Sequence, residues 1–309
     1  MSDAATAETP LPDYDRRPPR AGVLQTLAPG VRRLVVNNPG PFTFTGTCSY
    51  ILGEGRVVMV DPGPDLPRAA ESLLAMLPGE NVEAILITHT HRDHSPAARP
   101  LQRLTGAPII GAAAHHPARP PRTGEQHHLD ASADSDHRPD RVLADGDRLA
   151  MAGMEIEVIA TPGHTMNHLC FALAGRDMLL SGDHVMGWST SIVAPPDGSM
   201  GAYMASLDKL RSRSETRYLP GHGEVLAEAP RFVRGLLAHR RQRETSILSH
   251  LRAGLRSTQA LVLAMYEGLD PSLRGAAALS VLAHLEDLVE RGLVRCEDQP
   301  GHGAVFHPR

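Results

Sequence analysis

Apolar and polar positions divide the chain into short strand-like runs and longer helical ones. Residues 31–36, 47–52 and 57–61 alternate or run apolar with Pro and Gly between them, which predicts a β-meander. A helix is expected over 66–77, followed by the apolar run 82–88, which reads as a buried strand. A helix over 96–105 and a strand over 108–111 come next, and strand patterning returns over 148–160, 168–173 and 177–180. In between, residues 112–147 are rich in His, Asp, Pro and Arg and lack any period, so a long solvated surface loop is expected, either a lid or a disordered stretch. Its His115, His116, His127, His128 and His137 show no recurring ligand spacing and are read as part of that solvated loop.

The character of the chain changes at Pro230. A helix expected over 231–256 carries seven arginines and one acid, Glu244, and its densest basic run is Arg240, Arg241 and Arg243. Two further helices, near 258–266 and 276–291, lead into two short apolar segments with a turn between them. Three helices and a hairpin make the winged-helix arrangement. Residues 257–309 hold four arginines against seven acids, so sequence-specific DNA binding is not expected; a substrate-facing wall or a homodimer interface is. With 309 residues the chain exceeds one ordinary core. The expected organisation is a flexible tail over 1–22, a large domain over 23–229, and a basic linker helix with a winged-helix domain over 230–309.

Composition narrows this only slightly. At 41% hydrophobic and 21% charged, with a net charge of -4, the chain has no global attraction to nucleic acid, so any phosphate contact must come from the local basic run. Cys48, Cys170 and Cys296 are widely spaced in or beside apolar runs and read as reduced thiols. The first twenty residues lack the apolar core of a secretory signal, and no stretch is long and apolar enough for a membrane span, so a cytoplasmic location is expected.

The chemistry is concentrated after the run 82–87, in Thr88-His89-Thr90-His91-Arg92-Asp93-His94. Three imidazoles and a carboxylate on six residues suit a divalent ion with nitrogen and oxygen ligands; the bland alternative is a polar loop rich in His by chance. Three later segments weigh against chance: Thr161-Pro162-Gly163-His164-Thr165, Ser181-Gly182-Asp183 and Pro220-Gly221-His222-Gly223. Each sets a ligand past a strand-like run beside Gly or Pro, where the backbone turns sharply. Together His89, His91, Asp93, His94, His164, Asp183 and His222 are too many for one tetrahedral ion with an open position, whereas two ions sharing a carboxylate accommodate them. Asp61, before Pro62-Gly63, reads locally as a turn former.

This constellation resembles the metallo-β-lactamase superfamily, whose signature is His-x-His-x-Asp-His followed by a later His, Asp and His. The resemblance implies an αββα sandwich of two face-to-face sheets with helices outside and the site along the edge where both sheets end. It implies that His89, His91 and His164 hold one ion, that Asp93, His94 and His222 hold a second, that Asp183 bridges them, and that Asp61, which matches the early Asp of the superfamily, orients a ligand histidine from behind. Zinc is the implied metal, with iron or manganese suited to the same donors. A metal-activated hydroxide would then attack the substrate, Asp93 would orient it or shuttle its proton, and His184 and His168 would support the site or the leaving group. Asn38-Pro39-Gly40-Pro41, Gly46-Thr47-Cys48-Ser49-Tyr50, His94-Ser95 and Tyr203-Met204-Ala205-Ser206-Leu207, with the winged helix, are similar to the beta-lactamase-like protein 2 group. That group implies a hydrolase of single-stranded RNA, and if RNA is the substrate the densest basic run, Arg240, Arg241 and Arg243, is expected to reach its phosphates. The alternative is a thioesterase acting on acyl-carrier-protein or glutathione thioesters. A non-catalytic or iron-binding redox protein is the reading from another class, and weak β-lactam hydrolysis is compatible with the same site.

Overall fold

The computed structural model describes residues 10–122, 133–301 and 303–309. One sheet contains β1 (Leu24–Ala28), β2 (Val31–Val35), β3 (Cys48–Glu54), β4 (Arg56–Val60), β5 (Asn81–Ile87), β6 (Ile109–Gly111) and β7 (Arg141–Val142), in that order. It is antiparallel from β1 to β4 and parallel from β4 to β7. The second contains β8 (Arg148–Met151), β9 (Met154–Ala160), β10 (Leu169–Leu173), β11 (Met178–Gly182) and β12 (Arg217–Pro220), ordered β12-β11-β10-β9-β8.

Alternation along each strand sorts its residues between two cores. Tyr50, Leu52, Val58, Val60 and Leu86 face Ile156, Val158, Phe171, Leu173 and Leu180 between the sheets. Their neighbours Ile51, Val57, Met59, Ile85 and Ile87 turn outward against Leu73 of α1 (Ala69–Ala75) and Leu101 of α2 (Ala98–Thr105). On the other outer face Ile159, Cys170, Leu179 and Tyr218 pack on α3 (Met200–Arg211) and α4 (Ala229–Arg252) through Tyr203, Leu207, Phe232 and Val233. Both faces of the central strands are buried, which is why 82–87 reads as an unbroken apolar run. Two helices, two sheets and two helices form the αββα sandwich.

The C-terminal part contains α5 (Thr258–Met265), a single 3-10 turn, α6 (Arg274–Glu290) and the hairpin of β13 (Val294–Cys296) with β14 (Phe306–Pro308). These elements close a separate core with Ile247 and Leu251 from the far end of α4. Helix α4 therefore belongs to two cores at once, its first half to the sandwich and its second half to the winged helix.

Several sequence expectations need correction. The strand expected over 148–160 is the hairpin β8–β9, turned by Ala152 and Gly153 with φ of 50° and 69°; positive φ at both central residues suits a tight turn to the strand twist. Strand β1 begins ahead of the first apolar run, at Leu24. Within 112–147, β7 joins the first sheet, Asp134 N–H donates to Thr90 O at 2.7 Å, and His137 is buried with its Nε2 3.1 Å from Ala112 O. These parts of the segment are built into the domain, not a solvated loop. His127 and His128 lie outside the described residues. The tail expected over 1–22 also packs where it is described: Leu11 and Tyr14 lie against the outer core of the second sheet, with the Tyr14 ring 5.4 Å from that of Phe232.

Candidate metal centre

Five loops leave the same edge of the sandwich and converge. Asp61 follows β4, the segment 88–94 follows β5, His164 follows β9, Asp183 follows β11 and His222 follows β12. The structure brings the donor atoms of His89, His91, His164 and Asp183 within 4.8 Å of one another, and does the same for Asp93, His94 and His222. Asp183 stands between the groups: its Oδ2 lies 3.6 Å from His164 Nε2 and 3.4 Å from His222 Nε2, and its Oδ1 lies 3.5 Å from His94 Nε2. That Oδ1 is buried and accepts no hydrogen bond from any described residue.

Outward hydrogen bonds fix which ring nitrogens point inward. His164 Nδ1 donates to Ile192 O at 2.6 Å and His222 Nδ1 to Gly46 O at 3.1 Å. Carbonyls only accept, so each ring carries a proton on Nδ1 and turns Nε2 toward the centre. His94 Nδ1 donates to Asp61 Oδ2 at 2.9 Å, and Thr88 Oγ1 donates to the same oxygen at 2.6 Å, which leaves Thr88 Oγ1 to accept from His89 Nδ1 at 3.0 Å. Inside, His91 Nδ1 lies 3.1 Å from both His89 Nε2 and His164 Nε2. Three nitrogens that close repel one another, and a single proton cannot satisfy all three. A divalent ion can, because donors at about 2.1 Å in a tetrahedron stand roughly 3.4 Å apart. The cluster is a metal-binding His/Asp site consistent with two ions.

Charge tells the same story. Burial, then the neighbouring His164, pushes His91 down to about 3, and burial with His94 and His91 holds His89 well below its usual range. Burial also works against protonation of His94, yet Asp93 and Asp183 outweigh it and lift that ring to about 10; Asp183 and Asp93 raise His222 in the same way. Both carboxylates are held below their ordinary range by these two rings, although burial opposes it. The cluster is thus a buried anionic pair drawing positive charge toward it.

Asp61 is hydrogen-bonded into the cluster. It is buried, holds a left-handed backbone with φ 48°, and its Oδ1 also accepts from Thr88 N at 2.8 Å. One carboxylate thereby orients His94 directly and His89 through Thr88. His168 is also buried behind the site. Its Nε2 accepts from Asp183 N at 3.1 Å and its Nδ1 donates to Thr161 Oγ1 at 2.8 Å, so it braces the loop that carries Asp183. His184 is fully buried with its ring 4.4 Å from that of Tyr203, and burial, with His164 and Arg240 nearby, takes it down to about 3. Neither His168 nor His184 is among the described residues that line the adjoining cavity.

That cavity, about 310 Å³, opens onto His91, Asp93, His164, Asp183 and His222. Its other walls include Phe42, Met186, Ile192 and Ala194, with Arg92, Thr43 and Asp197 as further polar contributors. This wall was not legible in the sequence, since Phe42 sits in the turn between Gly40 and Phe44 and offers no ligand signal. The three arginines expected at the substrate are not part of it among the described residues. Arg240 is 3% exposed. Arg241 is exposed but lies 3.8 Å from Asp208, and the Arg243 guanidinium stands over the Tyr266 ring at 4.7 Å. The expectation that this triad presents a basic face to phosphate is therefore corrected at Arg240, whose charge points into the protein.

Comparison with known proteins agrees with this geometry. A model of the metallo-beta-lactamase superfamily matches residues 42–222, which span every donor of the cluster. The chain belongs to the metallo-beta-lactamase superfamily. It also carries the beta-lactamase associated winged helix domain over residues 257–303. The beta-lactamase-like protein 2 homolog of Caenorhabditis elegans is 31% identical over 276 residues, covering 88% of each chain. An atrochrysone carboxyl ACP thioesterase of Emericella nidulans is 29% identical over 290 residues, covering 92% of this chain and 86% of the relative. A metallo-beta-lactamase family protein from Thermus thermophilus shares the fold with a TM-score of 0.73 at 25% identity, covering 92% of this chain and all of that one (100%). The protein is a hydrolase of this superfamily. Among the described residues, no helix is long and apolar enough to cross a membrane.

Proposed function

We propose that the protein hydrolyses acyl thioesters at a dinuclear metal centre. His89, His91 and His164 would hold one ion, Asp93, His94 and His222 the other, and Asp183 both. Zinc is the metal this nitrogen-rich donor set favours. When bound, such ions supply Lewis acidity and a nucleophile drawn from water at neutral pH.

The observation that carries the substrate class is the cavity wall. Phe42, Met186, Ile192 and Ala194 face the ligands across a space suited to an acyl chain, and Phe42 is 52% exposed at its mouth. Burial of apolar chain there is favourable at about 25 cal/mol per Å². A polyanionic RNA would instead call for a basic lining, whereas Arg92 stands there among Asp93, Asp183 and Asp197, and Arg240 is turned inward. Leaving-group chemistry points the same way: a thiol with a pKa of about 8.5 departs as thiolate near neutral pH without a dedicated acid. Asp93, a cavity-lining carboxylate with its side chain 25% exposed, would take a proton from water. The thioesterase relative supports the same class.

The test is a direct comparison on the metal-loaded protein. N-acetylcysteamine thioesters of increasing acyl length and a single-stranded RNA would be assayed side by side. Thioester turnover with KM falling as the chain lengthens is expected, with a several-fold rise in KM for Phe42→Ala. Efficient RNA cleavage without thioesterase activity would overturn the proposal.

A further inference from the structure

The metal centre and the cavity leave Arg240 unexplained. It is a cation in the protein interior on α4, at the point where that helix passes from the sandwich core to the winged-helix core. Its partners among the described residues are neutral. Nη2 donates to Ser191 O, Nη1 to Ser280 Oγ of α6 at 3.3 Å, and the guanidinium carbon stands 5.3 Å from the Tyr203 ring centroid, while Nε has no partner. An unpaired buried charge is costly to keep, and its removal leaves Ser191 O without its donor.

Ser191 is the residue before Ile192. The Ile192 carbonyl accepts from His164 Nδ1 at 2.6 Å, and its side chain lines the cavity. Ser191 Oγ donates to His184 O at 2.9 Å, and Tyr203 OH donates to that same carbonyl at 2.9 Å, one residue beyond Asp183. The guanidinium therefore grips the peptide that aims one ligand histidine and stands over a ring that braces the loop of the bridging aspartate. We propose that Arg240 is a positioning residue for the three-histidine site, acting through Ser191 and Ile192 on His164, so that the C-terminal helices set the affinity and geometry of the metal centre. The proposal rests on the metal reading above and is independent of the substrate.

Cobalt(II) tests it, because its visible absorption reports the ligand field while the protein remains the full chain. Metal-free wild type, Arg240→Met, Arg240→Lys and Arg243→Ala would each be titrated with cobalt against a chromophoric chelator. Loss of an outer partner of a ligand histidine commonly weakens metal binding by about 10- to 100-fold. That loss, with an altered spectrum and a fall in kcat larger than any rise in KM, is expected for Arg240→Met. Arg240→Lys should lose a few-fold, since an ammonium cannot bridge Ser191 and Ser280 as the planar fork does. Arg243→Ala should match wild type. Should Arg240→Met fail to fold, Arg240→Lys decides. Wild-type cobalt affinity and spectrum in whichever variant folds, even with a lowered melting temperature, would overturn the proposal and leave Arg240 a packing residue. Wild-type protein that takes up no cobalt would instead refute the metal reading itself.

Discussion

Gly221 lies directly against Asp183. A Cβ placed on Gly221 would sit 2.3 Å from Asp183 Oδ1 and 2.8 Å from His94 Cε1, closer than atoms approach. Gly221 is not among the glycines with positive φ, so space and not backbone freedom is what the position requires. The smallest possible side chain would displace the carboxylate that joins the two donor groups. Gly221→Ala should therefore retain the fold, lose about 1–3 kcal/mol to overpacking, and bind fewer than two ions. Elemental analysis of the purified variant checks this; full metal content with normal hydrolysis would show that the bridge tolerates the shift.

Metal stoichiometry is the second test. Metal-replete protein should contain two ions per chain, because the donors form two groups with the Asp183 carboxylate standing between them. Chelation should abolish hydrolysis and lower the melting temperature, since an ion that binds only the folded state stabilises it by mass action. Asp183→Ala should cut turnover by several orders of magnitude while far-ultraviolet circular dichroism stays unchanged. One ion in the replete wild type would contradict the dinuclear reading.

Asp61 should matter without touching substrate. It accepts from His94 Nδ1, Thr88 Oγ1 and Thr88 N. Asp61→Asn keeps the shape but turns one acceptor into a donor facing donors, so metal affinity should fall by about 10- to 100-fold. Competition with a chelator measures it, and a change in KM alone would point to a different role.

Acid stability should report His284. Burial, then Arg240 and His239, holds this ring at about 3 against an ordinary 6.5. Its folded-state value is depressed, so between pH 6.5 and 3 the unfolded chain binds a proton that the folded chain does not. Stability from this group is complete above 6.5 and declines on acidification, by up to about 1.4 kcal/mol per pH unit. Urea midpoints of metal-free wild type and His284→Leu at pH 7 and 4.5 would test it; the variant should lose less on acidification. Equal losses would exclude His284 as a source.

The local sequence already named the candidate donors and the strand-like runs that lead into them, but not β1, β7, α3 or the division of 148–160 into two strands. His89, His91, Asp93 and His94 lie close together past an apolar run, and His164, Asp183 and His222 each stand beside Gly or Pro, so residue type and turn chemistry name them before any contact is known. The winged helix was legible for the same reason, as helix periodicity needs only near neighbours. Contacts between distant segments were not legible. Phe42 meets Met186 and Ile192 across a cavity that no spacing encodes, His137 is buried by pairing with Ala112, and Tyr14 is held down by Phe232. Arg240 shows the division most clearly. Sequence gives its charge and its place in a basic run, but only the packing of α4 against α3 and α6 turns that charge inward to Ser191, because the direction a helical side chain faces is set by what the helix is packed upon.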